Sequence, residues 1–176
     1  AIINEFTVAP KFGPERTDTF HEWFIDFESE PENLNQFEKT LEVSSVVLEI
    51  KNLDTSLQWD ATLLKARSAV MLKDSLVAAS AYEQLEQVSQ KEYAAEALFF
   101  KADHLLKTKQ HKASIEIIEK IAGARGQSGI WNAKALLLLA KNYYALQDSF
   151  QAIFVLESII ENFKAYSEIT EEAQRL

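Results

Sequence analysis

WNAKALLLLAKNYYALQDSFQAIFVLESIIENF, residues 131–163, decides the fold. Two apolar helical runs flank a polar turn, Leu146–Ser149, with small residues at Ala140 and Ala152. The same frame recurs upstream. Ala66, Ala102 and Ala140 are equivalent, 36 and 38 residues apart. Twelve residues after each stands a second small residue: Ala78, Ser114 and Ala152. Four further on come Tyr82, Ile118 and Leu156, and three beyond those Leu85, Ile121 and Ile159. The turn reads LKDS at Leu72–Ser75 and LQDS at Leu146–Ser149. Small residues at fixed offsets are what two closely crossing helices require. The period lies in the range of stacked helical repeats. The frame predicts three helical hairpins over residues 52–176, with a further helix from Ser167 cut short at the chain end.

Composition supports a mainly α reading. The chain has 176 residues, 47% of them hydrophobic, enough for a sizeable core. Four glycines and three prolines are few for loops or a β-rich fold. The formal net charge of −9 argues against non-specific nucleic-acid binding, which needs clustered Lys and Arg, and against docking on an anionic membrane. With no cysteine, disulfides, thiolate metal sites and cysteine nucleophiles are excluded. No stretch approaches the roughly 20 apolar residues that span a bilayer. Ala1–Pro10 lacks the basic start and apolar centre of a signal peptide.

Residues 1–51 read differently. Ile2–Ala9 and Phe20–Phe27 suit two strands joined by a loop, a β-hairpin. Ser29-Glu30-Pro31-Glu32 then opens a helix, with proline in the first turn and acids near the positive end of the dipole. Leu34, Phe37, Leu41 and Leu48 follow helical spacing. The expected order is β-β-α, then helices throughout: from Asp54, Asp74, Lys91, His111, Ile130, Ser149 and Ser167.

Residues from about 59 to 176 resemble tetratricopeptide repeats, and 131–163 looks closest to the Bacteroidetes type. The match is carried by Ala140, Tyr143, Asp148, Ala152, Leu156 and Ile159. Lys73, Lys109 and Gln147 replace the family's turn glycine, and Ala69 and Leu105 replace its helix-A aromatic. The resemblance implies hairpins stacked in a right-handed superhelix that holds partner proteins. A second resemblance covers about Ile3–Glu42. FTVAP at Phe6–Pro10 and HEWFIDFESEPENLNQF at His21–Phe37 look like the small C-terminal domain of auxin-responsive acyl-acid amido synthetases, which are adenylate-forming. The ATP-binding motifs of that family have no counterpart here. A natural fusion, a designed chimera and a chance likeness all fit.

Few residues suggest chemistry. His21, His104 and His111 have no spacing that puts two ligands on one helix face, and read as surface or interhelical side chains. Gly123, Gly126 and Gly129 have neither the preceding strand nor the Lys-Ser/Thr of a phosphate loop, and read as an inter-repeat turn. Glu28/Glu30/Glu32 and Glu168/Glu171/Glu172 read as solvated acids near helix starts. Catalysis, cofactors and metals are not expected.

The concave face of the first helix of each hairpin is the better candidate. It carries Asp60, Arg67, Glu96, Asp103, Lys134 and Lys141, with Leu63, Phe99, Leu137 and Tyr144 beside them. A mixed-charge face with aromatic support suits a peptide or helix ligand. Arg67, Asp103, Lys134, Lys141 and Tyr144 are the expected partner-binding residues, the cations meeting acidic groups of the ligand. The family's chaperone-tail clamp has a lysine where Leu63, Phe99 and Leu137 stand, so that ligand is not expected. The expected function is a non-catalytic protein-interaction scaffold. Its rivals are a fragment of an adenylate-forming synthetase and a purely structural assembly segment.

Overall fold

The computed structural model describes residues 31–89, 91–123 and 129–176. Eight helices account for most of them, with no strand among the described residues. They are α1 (Pro31–Leu48), α2 (Thr55–Met71), α3 (Ser75–Leu85), α4 (Lys91–Lys107), α5 (His111–Gly123), α6 (Gly129–Ala145), α7 (Ser149–Asn162) and α8 (Ser167–Arg175). The two expected strands, 2–9 and 20–27, and the loop at 124–128 lie outside the described residues. No described helix is long and apolar enough to cross a membrane.

Each helix packs on the next, and α4 also meets α6 while α6 meets α8. The apolar residues fall into three clusters, each joining two paired helices to the helix that follows. Leu63, Ala66, Ala81, Tyr82, Leu85 and Ala97 join α2, α3 and α4. Ala102, Ile118, Ile121 and Leu138 centre the cluster of α4, α5 and α6. Ala140, Val155, Ile159, Ile169 and Ala173 do the same for α6, α7 and α8. Ala66, Ala102 and Ala140 are all buried, as are Ala78, Ser114 and Ala152. A side chain larger than methyl or hydroxymethyl at these crossings would force the helices apart.

Ser114 shows the crossing's second use. Its Oγ donates to the Ala102 carbonyl of α4 at 2.7 Å and accepts from Asn142 Nδ2 of α6 at 2.9 Å. Asn142 Nδ2 also donates to the Leu138 carbonyl, and Asn142 Oδ1 lies 3.2 Å from His111 Nδ1. His111 is therefore an interhelical side chain. Three helices are fixed in register by one buried amide, a feature that no apolar periodicity reveals.

The turns explain how the chain manages without glycine. Lys73, Lys109 and Gln147 take φ of 59°, 61° and 62°, the left-handed region that glycine adopts at least cost. Asp74, Gln110 and Asp148 then send their backbone N–H back to the carbonyls of Ala69, Leu105 and Tyr143. That six-residue closure is the Schellman motif, and it ends all three helices alike. Asp74 and Asp148 then cap the next helix, accepting from the N–H of Val77 and Gln151 at 3.1 Å each. Left-handed backbone costs a non-glycine residue about 1–2 kcal/mol, partly offset by glycine's larger unfolded-state entropy. Lys73→Gly, Lys109→Gly and Gln147→Gly together should therefore stabilise the fold by about 1.5–3 kcal/mol. Thermal melts check this; a lowered Tm would contradict the turn geometry.

Candidate functional site

The face shared by α4, α6 and α8 carries a shallow cleft of about 330 Å³. Phe99, Leu137, Leu138 and Ile169 supply its apolar lining, and Asp103, Lys134, Lys141, Glu168 and Glu172 its charges. Three of the five expected residues, Asp103, Lys134 and Lys141, thus meet at one place. Heptad spacing puts Lys134 and Lys141 two turns apart on one side of α6, and Asp103 projects from the neighbouring α4.

The other two lie elsewhere. Arg67 belongs to the junction of α2 and α4. Its Nε and Nη2 donate to the two carboxylate oxygens of Glu96 at 2.7 and 2.5 Å, and Tyr82 Oη donates to the same carboxylate at 3.0 Å. Burial works against the Arg67 charge, but Glu96 outweighs it and leaves the guanidinium above its ordinary pKa. Burial, then Glu96, pushes Tyr82 well above the ordinary phenol range. One junction along, the equivalent positions hold Asp103 and Lys134. A carboxylate on one methylene is much shorter than a guanidinium, and there the two residues line a cleft. Tyr144, in the last turn of α6, is 72% exposed and does not line it.

The face's charges are largely engaged. Lys141 Nζ donates to Glu172 of α8 at 2.7 Å. Asp103 pairs with Lys107 at 2.6 Å within α4. Tyr93 Oη donates to Asp60 at 2.6 Å, tying α4 to α2. Lys134 Nζ sits 4.7 Å above the Trp131 ring, and Phe99 lies 5.5 Å from that ring between centres. Leu63 and Leu137, placed beside the groove by register, are core residues, whereas Phe99 is half-buried.

Sequence reasoning missed α8's part. Glu168 and Glu171 are exposed, as read from the sequence, but Glu168 and Glu172 also line the cleft and Glu172 holds Lys141. The available signal was the spacing of Ile169 and Ala173, which buries one side of α8 against α6 and α7 and turns Glu168 and Glu172 toward α6. A Cβ on Gly129, at the start of α6, would lie 2.5 Å from Tyr166 Oη, just before α8.

Burial lowers the Lys134 pKa to about 8, against the opposing pull of Glu96, Glu168 and Glu172. An unfolded lysine titrates near 10.4, so between these values the unfolded chain binds more protons than the folded one. Stability then rises with pH through that window. Lys134→Met removes the effect. Its advantage over the parent should be full below about pH 8 and shrink toward pH 10.4. Urea unfolding at a series of pH values checks this; a constant difference would show that Lys134 titrates normally.

Among the described residues, no three His, Asp or Glu side chains gather into a candidate metal site. What the cleft offers is apolar contact flanked by both signs of charge. Comparison with known proteins adds no assignment: no family model, curated protein or solved structure matches the chain.

Proposed function

We propose that this chain is a non-catalytic protein-interaction scaffold of the tetratricopeptide type. Its three hairpins stack in a right-handed superhelix, and a peptide or helix is received on the concave face. The observation that carries this reading is the cleft of α4, α6 and α8, where Asp103, Lys134 and Lys141 meet beside Phe99 and Ile169. A pocket of that size takes one or two side chains, and charged groups of both signs at its edge set their register. The shared turn geometry supports the repeat reading, since Thr108–His111, unlike LKDS and LQDS in sequence, closes in the same way.

Pull-down from the source cell, repeated with the Lys134→Gln/Lys141→Gln variant, tests the proposal. Loss of the captured protein by the folded variant is the expected result. Undiminished capture would move the partner site off this face. Charge reversal to glutamate is the poorer test, because it would set Lys141→Glu against Glu172. Calorimetry with ATP and magnesium should give no heat, and micromolar binding would overturn the scaffold reading.

A further inference from the structure

α7 has an outward face that no other described element covers. Ala152, Val155 and Ile159 point into the core. Phe150, Ile153 and Phe154, on the other side of its first two turns, are 77%, 55% and 62% exposed. The repeat does not require them. The equivalent positions are Leu76, Ala79 and Ser80 in α3, and Lys112, Ile115 and Glu116 in α5. At these exposures the three side chains present roughly 400 Å² of apolar surface, the size at which a patch on a monomer is commonly functional. None of them lines the cleft.

We propose that this face of α7 pairs with the same face of a second copy of the chain, antiparallel about a two-fold axis near Ile153 and Phe154. The area sets the strength. Roughly 400 Å² of apolar core, about two thirds of an interface, corresponds to about 1,200 Å² buried in total, the lower limit for specific association. An interface at that limit belongs to the weak, reversible class.

Charge sets the direction. The same face continues as Glu157 and Glu161, both exposed. Parallel pairing would oppose each acid to its own copy. Antiparallel pairing moves each acid off its own copy, toward the start of the partner helix that Asp148 caps. Those acids, in a chain of net charge −9, also disfavour an anionic bilayer as the occupant.

Sedimentation velocity on the full chain, from about 5 to about 500 µM, reads the association over the concentration range that such an area implies. The expected result is a monomer–dimer equilibrium, weakened at least about 30-fold by Phe150→Glu/Phe154→Glu with the circular dichroism spectrum unchanged. Leu76→Glu, on the exposed start of α3, should leave it intact. Because the chain has no cysteine, Ile153→Cys supplies a single thiol. Mild oxidation should give a covalent dimer at low micromolar concentration. A chain monomeric throughout, dimerisation undiminished in the double variant, or a monomer that binds phosphatidylserine vesicles through Phe150 and Phe154 would each overturn the proposal.

Discussion

Glu96→Ala should cost about 3 kcal/mol, visible as a large fall in the urea midpoint. Glu96 is 2% exposed and accepts three hydrogen bonds, two from Arg67 and one from Tyr82. Truncation leaves a guanidinium facing a site built for its counter-ion, which commonly costs about 3–5 kcal/mol. The lower end applies because the Arg67 side chain is 24% exposed and can turn toward water. Arg67→Met/Glu96→Leu should lose much less than the single variant, since both charges leave the interior together. A double variant as damaged as Glu96→Ala would mean that packing around Tyr82, and not charge, holds α2 to α4. The consequence for function is direct. Arg67 joins helices, and its loss should lower stability before it lowers any partner affinity.

Asn142→Asp is the second large effect, at about 3 kcal/mol or more at neutral pH. The change is one atom, but Asn142 is fully buried and its Nδ2 donates to both Ser114 Oγ and the Leu138 carbonyl. A carboxylate there cannot donate and sets its charge against a carbonyl oxygen. Burial would raise the new carboxyl above its unfolded value near 3.9, opposed by the His111 ring 3.2 Å from the amide oxygen it replaces. For an acid raised on folding, the destabilisation is absent below the unfolded pKa and complete above the folded one. The variant should therefore match the parent near pH 3.5 and fall behind as pH rises through the raised value. Chemical denaturation at acid and neutral pH reads this directly. An equal deficit at both would point to lost packing. Asn142→Leu should be far milder, because Ser114 keeps its bond to the Ala102 carbonyl.

Both residues mark where the sequence stopped being readable. Helix spans followed from local rules: apolar spacing, an aspartate before Thr55, Ser75 and Ser149, and small residues at the crossings. These depend on side chains within one or two turns, so composition and order fix them. Ala66, Ala102 and Ala140 were legible as core because no larger residue would let two helices cross there. The turns were half legible. LKDS and LQDS located them, but a lysine or glutamine in left-handed backbone is a conformation that only the closed hairpin imposes.

Register along the chain said which residues share the face of α2, α4 and α6. It did not say which of them another helix had already taken. Arg67 and Lys141 carry the same charge at equivalent positions, yet one is bound to Glu96 and the other to Glu172. Glu96 lies 29 residues from Arg67 and Glu172 31 from Lys141, the same pair of repeat positions, which only packed helices bring into contact. Partner choice across helices depends on backbone spacing and side-chain reach, and both are tertiary quantities. The same holds for the cleft, which exists where Asp103 is too short to do what Arg67 does, and for α7, whose Phe150 and Phe154 look like core by composition and lie in solvent by packing. The sequence by itself determined the helices, their caps and the small residues at their crossings; the tertiary structure decided which charges and which aromatic rings were left to face a partner.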